Sequence, residues 1–487
     1  MTYGMSLRTL LEGWHPDVPD IPITGITADS RQIEPGFAFV AVQGQRTHGM
    51  QHAAEALEKG CAVILHDGRA AVAPTEVPLV RLDRLQERQA ELASRFWAAP
   101  SEDMTIAAVT GTNGKTSVAH FMAQVWQQAF GKAGMIGTLG YGPLDRLEKA
   151  SHTTPDPFTL NRVLANCVDD RIDHLAMEVS SHALAQGRCE TVQIAAAIFT
   201  NLSRDHLDYH ADMASYAAAK KRLFTDYAPR FAVINRDDPT GRGWIDEISG
   251  RTEVLSFGLE PGAELQAELL AQDSDGMALR LHSPWGDCEM RASLLGRFNA
   301  SNLMAAAGAL TLLGMPWPEA VRELEMIQPV PGRMVRLGGR LRQPVVVVDY
   351  AHTPDALANA LLAMREHLSG RLVCVFGCGG NRDRGKRAAM GHVAETLADH
   401  LVVTTDNPRH ESVNSIINDI LAGLESNAAV RVQPDRAAAI VEAVSTSGPG
   451  DMVLIAGKGH ENYQEVAGRR LPFSDEAVVR TALEAAA

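Results

Sequence analysis

The chain has 487 residues, 45% hydrophobic and 21% charged, which is typical of folded globular protein and unlike a disordered chain. This length is too great for one compact core and predicts about three domains at the usual ~150 residues each. The net charge of −14 argues against nucleic acid or an anionic membrane surface as a partner, because like charges repel.

Cysteine usage and hydrophobic run lengths bear on the compartment. The six cysteines have neither the paired spacing of a zinc site nor the density of a disulfide framework. The first 14 residues lack the basic-then-apolar pattern of a signal peptide, and no window holds 18 uninterrupted apolar residues. We therefore expect a cytoplasmic protein with no membrane insertion.

The N-terminal stretch, residues 25–65, has the pattern of a small α/β unit. Alternating apolar residues at 37–42 predict a strand, residues 52–59 a helix and residues 61–65 a second strand. The polar turn around Ser30 either holds a ligand or serves only as turn chemistry. A helical pattern at 82–97, followed by Ala99-Pro100, predicts the linker to the next domain.

The most informative stretch is residues 105–117, where an apolar strand ends in Gly111-Thr112-Asn113-Gly114-Lys115-Thr116 and a helical pattern follows. The glycines let backbone N–H groups close on phosphate oxygens, Lys115 neutralises phosphate charge and the Thr116 hydroxyl suits Mg²⁺. Val109 stands where the standard Walker form has its first glycine, so this loop is tighter. The alternative is a Gly-rich turn before a helix. We predict ATP binding.

Between residues 104 and 239 strand and helix patterns alternate, which predicts a parallel sheet covered on both faces. The predicted strands are 106–110, 174–179, 194–200 and 231–235. Ligands bind at the carboxyl ends of such strands, where Glu178 and His206 lie. With Thr116 they could complete a magnesium shell. The alternative is that Asp205 and Asp208 cap a helix starting near residue 213 and that His206 is structural.

Two further features have alternative interpretations. The basic run 217–224, which contains Lys220, is typical of a solvated helix face on sequence grounds alone. Asn299 and Asn302 lie three residues apart on one helix face, where they either bond a ligand base or cap the helix.

A second boundary falls at residues 329–333, where two prolines and a glycine precede a fresh strand. Beyond it the pattern predicts another doubly wound unit with strands at 345–349, 372–377, 400–405, 430–432 and 452–456. Polar clusters again follow these strands. Two α/β domains whose polar strand ends face each other predict ATP held between them, used for phosphoryl transfer or for ligation.

Five motifs together resemble the Mur ligase family across nearly the whole chain. They are Thr110-Gly111-Thr112-Asn113-Gly114-Lys115-Thr116, Glu178-Val179-Ser180-Ser181-His182, the run from Asn201 to His210, Asp349-Tyr350-Ala351-His352-Thr353-Pro354 and Gly457-Lys458-Gly459-His460-Glu461. The resemblance implies three α/β domains: residues 1–88 for the UDP end of the substrate, 89–333 as the P-loop ATPase and 334–487, Rossmann-like, for the incoming amino acid.

The resemblance implies an ATP-dependent ligase of peptidoglycan precursor synthesis. The γ-phosphate would pass to the D-glutamate side-chain carboxylate of UDP-N-acetylmuramoyl-L-alanyl-D-glutamate, and an amine of meso-diaminopimelate would attack the acyl phosphate. Lys115 and Thr116 would serve phosphate and Mg²⁺, and Glu178 and His206 would serve Mg²⁺. The implied adenosine contacts are Asn299, Asn302, Arg333 and Asp349. The implied UDP-substrate contacts are Ser30, Thr153, Thr154, Ser180, Gln186 and Arg188.

The resemblance also changes the interpretation of Lys220, because the family's lysine at this point carries a carbamate made from carbon dioxide. The Asp406-Asn407-Pro408-Arg409 motif resembles the version found in members that add diaminopimelate, whose distal carboxylate Arg409 would bind. The other implied contacts of the amino acid are Arg382, Asn407, Gly457 and Glu461.

One departure and two rival functions accompany the resemblance. Thr47-His48-Gly49-Met50 stands where the family usually has Asp-Gly, so no uridine contact is assigned to that loop. The rivals are a folylpolyglutamate synthase-like ligase, against which the Asp406–Arg409 motif and the N-terminal unit speak, and a nucleotide-binding regulatory protein without ligase activity. We expect a monomer.

Overall fold

The computed structural model describes residues 3–15, 17–44, 47–69, 76–207, 209–340, 342–425 and 430–485. The chain divides into two compact units. The first comprises Met1–Phe257 with Ala305–Ala320, and the second comprises Gly258–Met304 with Val321–Ala487.

The N-terminal part of the first unit is a parallel four-stranded sheet in the order β3-β4-β5-β6 beside a two-stranded ladder of β1 and β2. The elements are β1 (Met5–Ser6), α1 (Leu7–Leu10), β2 (Pro22–Ile23), β3 (Gly25–Thr27), β4 (Phe37–Ala41), α2 (Ala53–Glu58), β5 (Val63–His66), β6 (Leu79–Arg81) and α3 (Gln89–Phe96). Helix α3 therefore begins later than the predicted start at residue 82. The small α/β unit expected from the sequence is present.

The rest of the first unit is built on a larger sheet, in which the strands run in the order β13-β12-β11-β7-β10-β8-β9. All neighbours are parallel except β8 and β9. The elements are β7 (Thr105–Thr110), α4 (Lys115–Phe130), β8 (Gly134–Gly137), β9 (Gly140–Pro143), α5 (Pro157–Asp169), β10 (His174–Glu178), α6 (Ser181–Ala185), β11 (Ala196–Phe199), α7 (Met213–Thr225), β12 (Phe231–Asn235), α8 (Pro239–Ile248) and β13 (Glu253–Gly258). The predicted parallel sheet is confirmed.

The second unit contains an antiparallel meander of β14, β15 and β16 and a six-stranded sheet in the order β17-β18-β22-β19-β20-β21. Only β17 is antiparallel within the latter sheet. The strands are β14 (Leu265–Asp273), β15 (Gly276–His282), β16 (Cys288–Ala292), β17 (Val335–Gly338), β18 (Val345–Asp349), β19 (Leu372–Phe376), β20 (His400–Val403), β21 (Val430–Val432), β22 (Met452–Ala456), β23 (Tyr463–Val466) and β24 (Arg469–Pro472). Its helices are α11 (Pro354–Arg365), α12 (Gly385–Leu397), α13 (Val413–Leu421), α14 (Arg436–Ser445) and α15 (Asp475–Ala485). Helices α9 (Arg297–Leu312) and α10 (Trp317–Glu325) are each divided between the two units.

Strand register brings the predicted functional segments together at one edge of each parallel sheet. In the first unit Glu178 pairs with Val109, and Phe199 pairs with Thr110, so the segments after β7, β10 and β11 begin side by side. In the second unit Ala456 lies between Asp349 and Phe376. These carboxyl-end edges are where open α/β sheets bind ligands.

Two further features concern the cysteines and the hydrophobic character of the helices. All six cysteines are free thiols. Within the described ranges, no helix combines the length and apolar character that crossing a bilayer requires.

Candidate active site

The loop between β7 and α4 is held by the segment that follows β11. The Thr112 N–H donates to the carbonyl of Asn201 (2.9 Å), and the Thr200 hydroxyl donates to the carbonyl of Asn113 (2.6 Å). Gly111 has φ = 150°, and a Cβ added there would lie 1.9 Å from Oγ1 of Thr200. The close approach of the two segments therefore requires glycine at this position.

Lys115, the first residue of α4, lies folded over the loop. Its Nζ donates to the carbonyls of Gly111 (2.9 Å) and Thr112 (2.8 Å). Gly114, with φ = 85°, precedes it at the helix start. A cationic side chain at a helix N-terminus beside a Gly-rich loop is the arrangement that binds phosphate groups.

Thr116 and Glu178, both predicted as magnesium ligands, are in direct contact. The Thr116 hydroxyl donates to Oε2 of Glu178 (2.9 Å), and the Thr138 N–H donates to Oε1 (2.7 Å). Glu178 has no exposed surface. A hydroxyl beside a buried carboxylate is an oxygen pair of the kind that Mg²⁺ prefers, so these two residues fit the ion.

Lys220 is buried, which makes the prediction of a solvated basic face wrong at this residue. Helix α7 directs its Nζ to the carbonyl of Gly111 (2.7 Å), with the ring of Tyr216 4.6 Å away. Burial, followed by the positive charge of Lys115, lowers the pKa of Lys220 to about 6. Lys220 is therefore mainly a neutral amine at pH 7.

His206 lies in a cluster of aromatic rings. Among the described residues it makes no hydrogen bond to Thr116 or Glu178. It has φ = 53°, and its imidazole is 4.9 Å from that of His182 and 6.0 Å from the ring of Tyr216. In the described parts of the chain no group of three or more His, Cys, Asp or Glu side chains is placed to hold a metal ion. The magnesium role of His206 stays a prediction.

The alternative capping role for Asp205 is wrong. Helix α7 is capped by Asp212, whose carboxylate accepts the Ser215 N–H (2.7 Å) in a capping box. Asp205 instead accepts the His206 N–H (2.8 Å). Asp208 lies outside the described residues.

Most residues predicted to contact the muramoyl peptide are joined by hydrogen bonds. The Thr154 hydroxyl accepts from the Ser180 N–H (3.0 Å) and donates to the carbonyl of Glu178 (2.9 Å). Arg188 donates to the carbonyl of Thr154 (2.7 Å) and to Oε1 of Gln186 (2.7 Å). This set lies next to the carboxylate proposed for Mg²⁺.

The remaining two members of that set have different surroundings. The Thr153 hydroxyl is 3.3 Å from that of Thr138, whose N–H bonds Glu178. Ser30 is buried in the N-terminal sheet region and donates to Oε2 of Glu55 (2.6 Å). Among the described residues no hydrogen bond links Ser30 to the other predicted substrate contacts, so its contact with the UDP substrate stays a prediction.

In the second unit, the residues predicted to hold adenosine lie around one apolar cluster. Asn302 donates to Oδ1 of Asn299 (3.1 Å), and Asn299 donates to the carbonyl of Leu295 (2.8 Å). Leu295 packs in the cluster that includes Met334. The Met334 N–H, next to Arg333, donates to Oδ2 of Asp349 (2.8 Å).

The residues predicted to bind the amino acid form a second network in this unit. Asn407 donates to Oε2 of Glu461 (2.8 Å), and Nζ of Lys458 donates to the same Oε2 (2.8 Å) and to Oδ1 of Asn407 (3.1 Å). A Cβ on Gly457 would lie 2.7 Å from Oδ2 of Asp406. Burial raises the pKa of the Asp406 carboxyl. The residues that follow β20 and β22 thus form one polar network, most of which is buried.

Two arginines flank this network. Nη1 of Arg409 donates to the carbonyl of Gly380 (2.9 Å). Arg382 is exposed, and a Cβ on Gly379 would lie 3.7 Å from its Cγ. Gly379 therefore leaves room between the two arginine side chains.

Comparison with known proteins matches these regions to one family. Residues 22–97 match "Mur ligase family, catalytic domain", residues 109–310 "Mur ligase middle domain" and residues 332–459 "Mur ligase, glutamate ligase domain". A protein of Alkalilimnicola ehrlichii named UDP-N-acetylmuramoyl-L-alanyl-D-glutamate--2,6-diaminopimelate ligase is 45% identical over 98% of both chains. The chain belongs to the Mur ligase family.

Further relatives of this Mur ligase have the same name. The Coxiella burnetii protein is 45% identical over 95% of this chain and 96% of its own. A solved structure titled as a UDP-N-acetylmuramoyl-L-alanyl-D-glutamate--2,6-diaminopimelate ligase has a TM-score of 0.74 and 34% identity, over 100% of this chain and 99% of that one. The α/β fold predicted from the sequence is confirmed.

Two residues of the Mur ligase site received no role from the sequence. Lys458 lies within the Gly457–Glu461 motif, whose glycines mark it as a functional segment. Its bonds to Asn407 and Glu461 depend on the fold and could not be predicted from the sequence. Glu465 follows the motif and contacts Arg409, with Oε2 3.3 Å from Nε. No sequence pattern indicated that contact.

Proposed function

We propose that this Mur ligase joins meso-diaminopimelate to the D-glutamate side-chain carboxylate of UDP-N-acetylmuramoyl-L-alanyl-D-glutamate, with ATP converted to ADP and phosphate. The observation that carries the proposal is the Asn407–Glu461–Lys458 network beside Arg409. It offers amide, carboxylate and guanidinium groups to a substrate whose distal end has both an ammonium and a carboxylate group. Relatives of this name, 45% identical over nearly the whole chain, support it.

The residues of the first unit have distinct roles in the activation step. A carboxylate is a poor electrophile, so the γ-phosphate is transferred to it before an amine attacks. The loop N–H groups and Lys115 hold the phosphates, while Thr154, Ser180 and Arg188 orient the acceptor peptide. The positioning and charge neutralisation supply most of the rate enhancement.

Thr116 and Glu178 are the residues that would hold Mg²⁺, together with His206. The buried hydroxyl–carboxylate pair fits a hard oxygen-seeking cation. Bound Mg²⁺ supplies neutralisation of the phosphate charge that develops during transfer. Asn299, Asn302, Arg333 and Asp349 would hold the adenosine.

The environment of Lys220 supports a carbamate at this residue. Carbon dioxide adds to a neutral amine, forming an N–C bond and releasing one proton, and a pKa of about 6 leaves Lys220 neutral at pH 7. The product replaces an amine with an anionic oxygen donor. Wild-type protein in ¹³C-bicarbonate should show a carbamate carbon signal that Lys220→Ala lacks, and formate or acetate should restore part of that variant's activity. A Lys220→Ala variant that keeps both the carbamate signal and full activity would contradict the assignment.

The rival functions differ from the proposed one in the acceptor they require and in whether turnover depends on an amino acid. A folylpolyglutamate synthase-like ligase would require a folate acceptor, and a regulatory nucleotide-binding protein would show no amino-acid-dependent turnover. We also propose that the enzyme acts as a monomer in the cytoplasm.

The decisive experiment supplies the UDP-muramoyl dipeptide and ATP with meso-diaminopimelate, L-lysine, L-glutamate or no amino acid. Phosphate release and product mass are measured in each case. We expect turnover with meso-diaminopimelate and a product heavier by one diaminopimelate residue. Equal phosphate release with and without an amino acid would overturn the proposal.

A further inference from the structure

Glu465 contacts both ends of the segment Asn407-Pro408-Arg409 through three separate groups. Its N–H donates to Oδ1 of Asn407 (2.8 Å), and its carbonyl accepts the Arg409 N–H (3.0 Å). Its carboxylate Oε2 lies 3.3 Å from Nε of Arg409. One residue of the β23–β24 hairpin therefore holds both Asn407 and Arg409, two of the residues proposed to contact the amino acid.

The hairpin also fixes the backbone of Arg409. The Arg409 carbonyl accepts the Ala467 N–H (2.7 Å), and Arg409 forms a parallel bridge with Val466. Arg409 has φ = 52°, a left-handed conformation that is unfavourable for a residue with a Cβ. The contacts with the hairpin hold the residue in that conformation.

One nitrogen of the Arg409 guanidinium makes a hydrogen bond, and a second lies in an ion-pair contact. Nη1 donates to the carbonyl of Gly380 (2.9 Å), and Nε faces the Glu465 carboxylate. Within the described residues Nη2 makes no hydrogen bond. The side chains of Arg409 and Glu465 are 19% and 23% exposed, so solvent screens their attraction only in part.

Glu461, another carboxylate of this site, has different partners. Its Oε2 accepts bonds from Lys458 and Asn407 at 2.8 Å each. Glu461 therefore holds Lys458 and the amide group of Asn407, while Glu465 is in contact with Arg409.

We propose that Glu465 is a positioning residue for amino-acid specificity. Its carboxylate holds the Arg409 guanidinium at the angle at which the remaining N–H groups meet the distal carboxylate of the incoming diamino acid. The inference rests on the proposed function. L-Lysine has no distal carboxylate, so Glu465 acts on the discrimination between diaminopimelate and lysine.

The test compares wild-type enzyme with Glu465→Gln, which keeps both main-chain bonds and the side-chain shape but removes the charge. We expect the KM for meso-diaminopimelate to rise about 10-fold, by analogy with the loss of an orienting partner at metal sites. The kcat, the KM for ATP and any turnover of L-lysine should change less than about threefold. Arg469→Gln, an exposed position on β24, is the matched control and should behave as wild type.

A double-mutant cycle separates positioning from general destabilisation. In an Arg409→Ala background Glu465→Gln should change the KM for meso-diaminopimelate by less than about twofold, because the group it positions is absent. Equal effects in both backgrounds, or an unchanged or lowered KM in the single variant, would overturn the inference. In Glu465→Asp the carboxylate lies farther from Nε of Arg409, so the KM for meso-diaminopimelate should rise by the same factor. If Glu465→Gln does not fold, Glu465→Asp takes its place in the cycle.

Failure of the proposed function has a different signature. Wild-type enzyme without amino-acid-dependent turnover would overturn the function and this inference together. Active wild-type enzyme with an unaffected Glu465→Gln variant would overturn the positioning role alone.

Discussion

Lys115 and Lys220 donate to the same acceptor, the carbonyl oxygen of Gly111, at 2.9 and 2.7 Å. Burial disfavours a charge on Lys220, which has little exposed surface, and two ammonium groups at one oxygen would also repel each other. The lowered pKa of Lys220, about 6, relieves this repulsion because one lysine gives up its proton. The loop carbonyl is thus contacted by one cation and one neutral amine.

The first prediction concerns the pH dependence of stability. The pKa of Lys220 falls from 10.5 to about 6 on folding, so the unfolded chain binds more protons at pH values between these limits. Its contribution to the free energy of unfolding must therefore rise with pH across that window, by up to about 1.4 kcal/mol per pH unit. Urea denaturation of wild type and Lys220→Met at pH 6 to 9, in buffer free of carbon dioxide, measures the difference. Lys221→Met, which loses only an ion pair to Glu247, should follow wild type; parallel curves for Lys220→Met and wild type would refute the lowered pKa.

The second prediction concerns Glu178. Glu178→Gln keeps an acceptor for the Thr138 N–H but removes the negative charge beside Thr116. We expect kcat to fall about 10²-fold and the Mg²⁺ concentration for half-maximal activity to rise, because charge at the transferring phosphate is less well compensated. Phosphate release as a function of Mg²⁺ concentration measures both. Glu148→Gln, which loses only a half-exposed ion pair to Arg162, is the control, and an unaltered Mg²⁺ dependence of Glu178→Gln would be incompatible with the proposed role.

The third prediction concerns Arg409. Removing the guanidinium in Arg409→Ala should raise the KM for meso-diaminopimelate roughly 10²-fold, as loss of a desolvated charged partner does. Arg409→Lys should recover little, since an ammonium lacks the planar fork that meets both oxygens of a carboxylate. Steady-state kinetics with varied meso-diaminopimelate provide the measurement, and Arg431→Ala, at an exposed ion pair, provides the control. Unchanged kinetics in Arg409→Ala would remove the residue from the site.

Much of the fold was predictable because its strands are buried apolar runs between turn residues. The bounds of β12, β18, β21 and β22 agree with the predicted segments. Strands β8 and β9 were missed, since glycine-rich sequence shows no apolar periodicity. The β23–β24 hairpin was missed because two strands of four residues with mostly polar side chains resemble a loop.

The site was predictable where function requires particular residue types in one motif, and unpredictable where it depends on tertiary contact. Thr116 and Glu178 were both predicted, and the structure places them in contact. The burial of Lys220 follows from its approach to Gly111, which is 109 positions away in the chain. Glu465 contacts Arg409 across about half that separation, which is still far longer than any local pattern, so the sequence shows neither relationship.

The last prediction concerns the buried ion pair of Arg436 and Asp475. Arg436 donates Nε and Nη2 to the two carboxylate oxygens of Asp475, each at 2.7 Å, and neither side chain has exposed surface. Arg436→Met would leave the Asp475 charge buried without a partner, so we expect a loss of about 3–5 kcal/mol in the free energy of unfolding. Urea denaturation measures the loss.

The double variant Arg436→Met/Asp475→Leu distinguishes stability from site geometry. Because both charges are removed, most of the lost stability should return. Arg436 also donates to the carbonyls of Thr405 (3.4 Å) and Ala456 (3.0 Å), which directly precede Asp406 and Gly457. The stable double variant should therefore still bind meso-diaminopimelate more weakly, by about 3- to 10-fold in KM. Recovery of both stability and KM in the double variant would show that the pair serves folding alone. An Arg436→Met variant as stable as wild type would contradict the expected cost of an unpaired buried carboxylate.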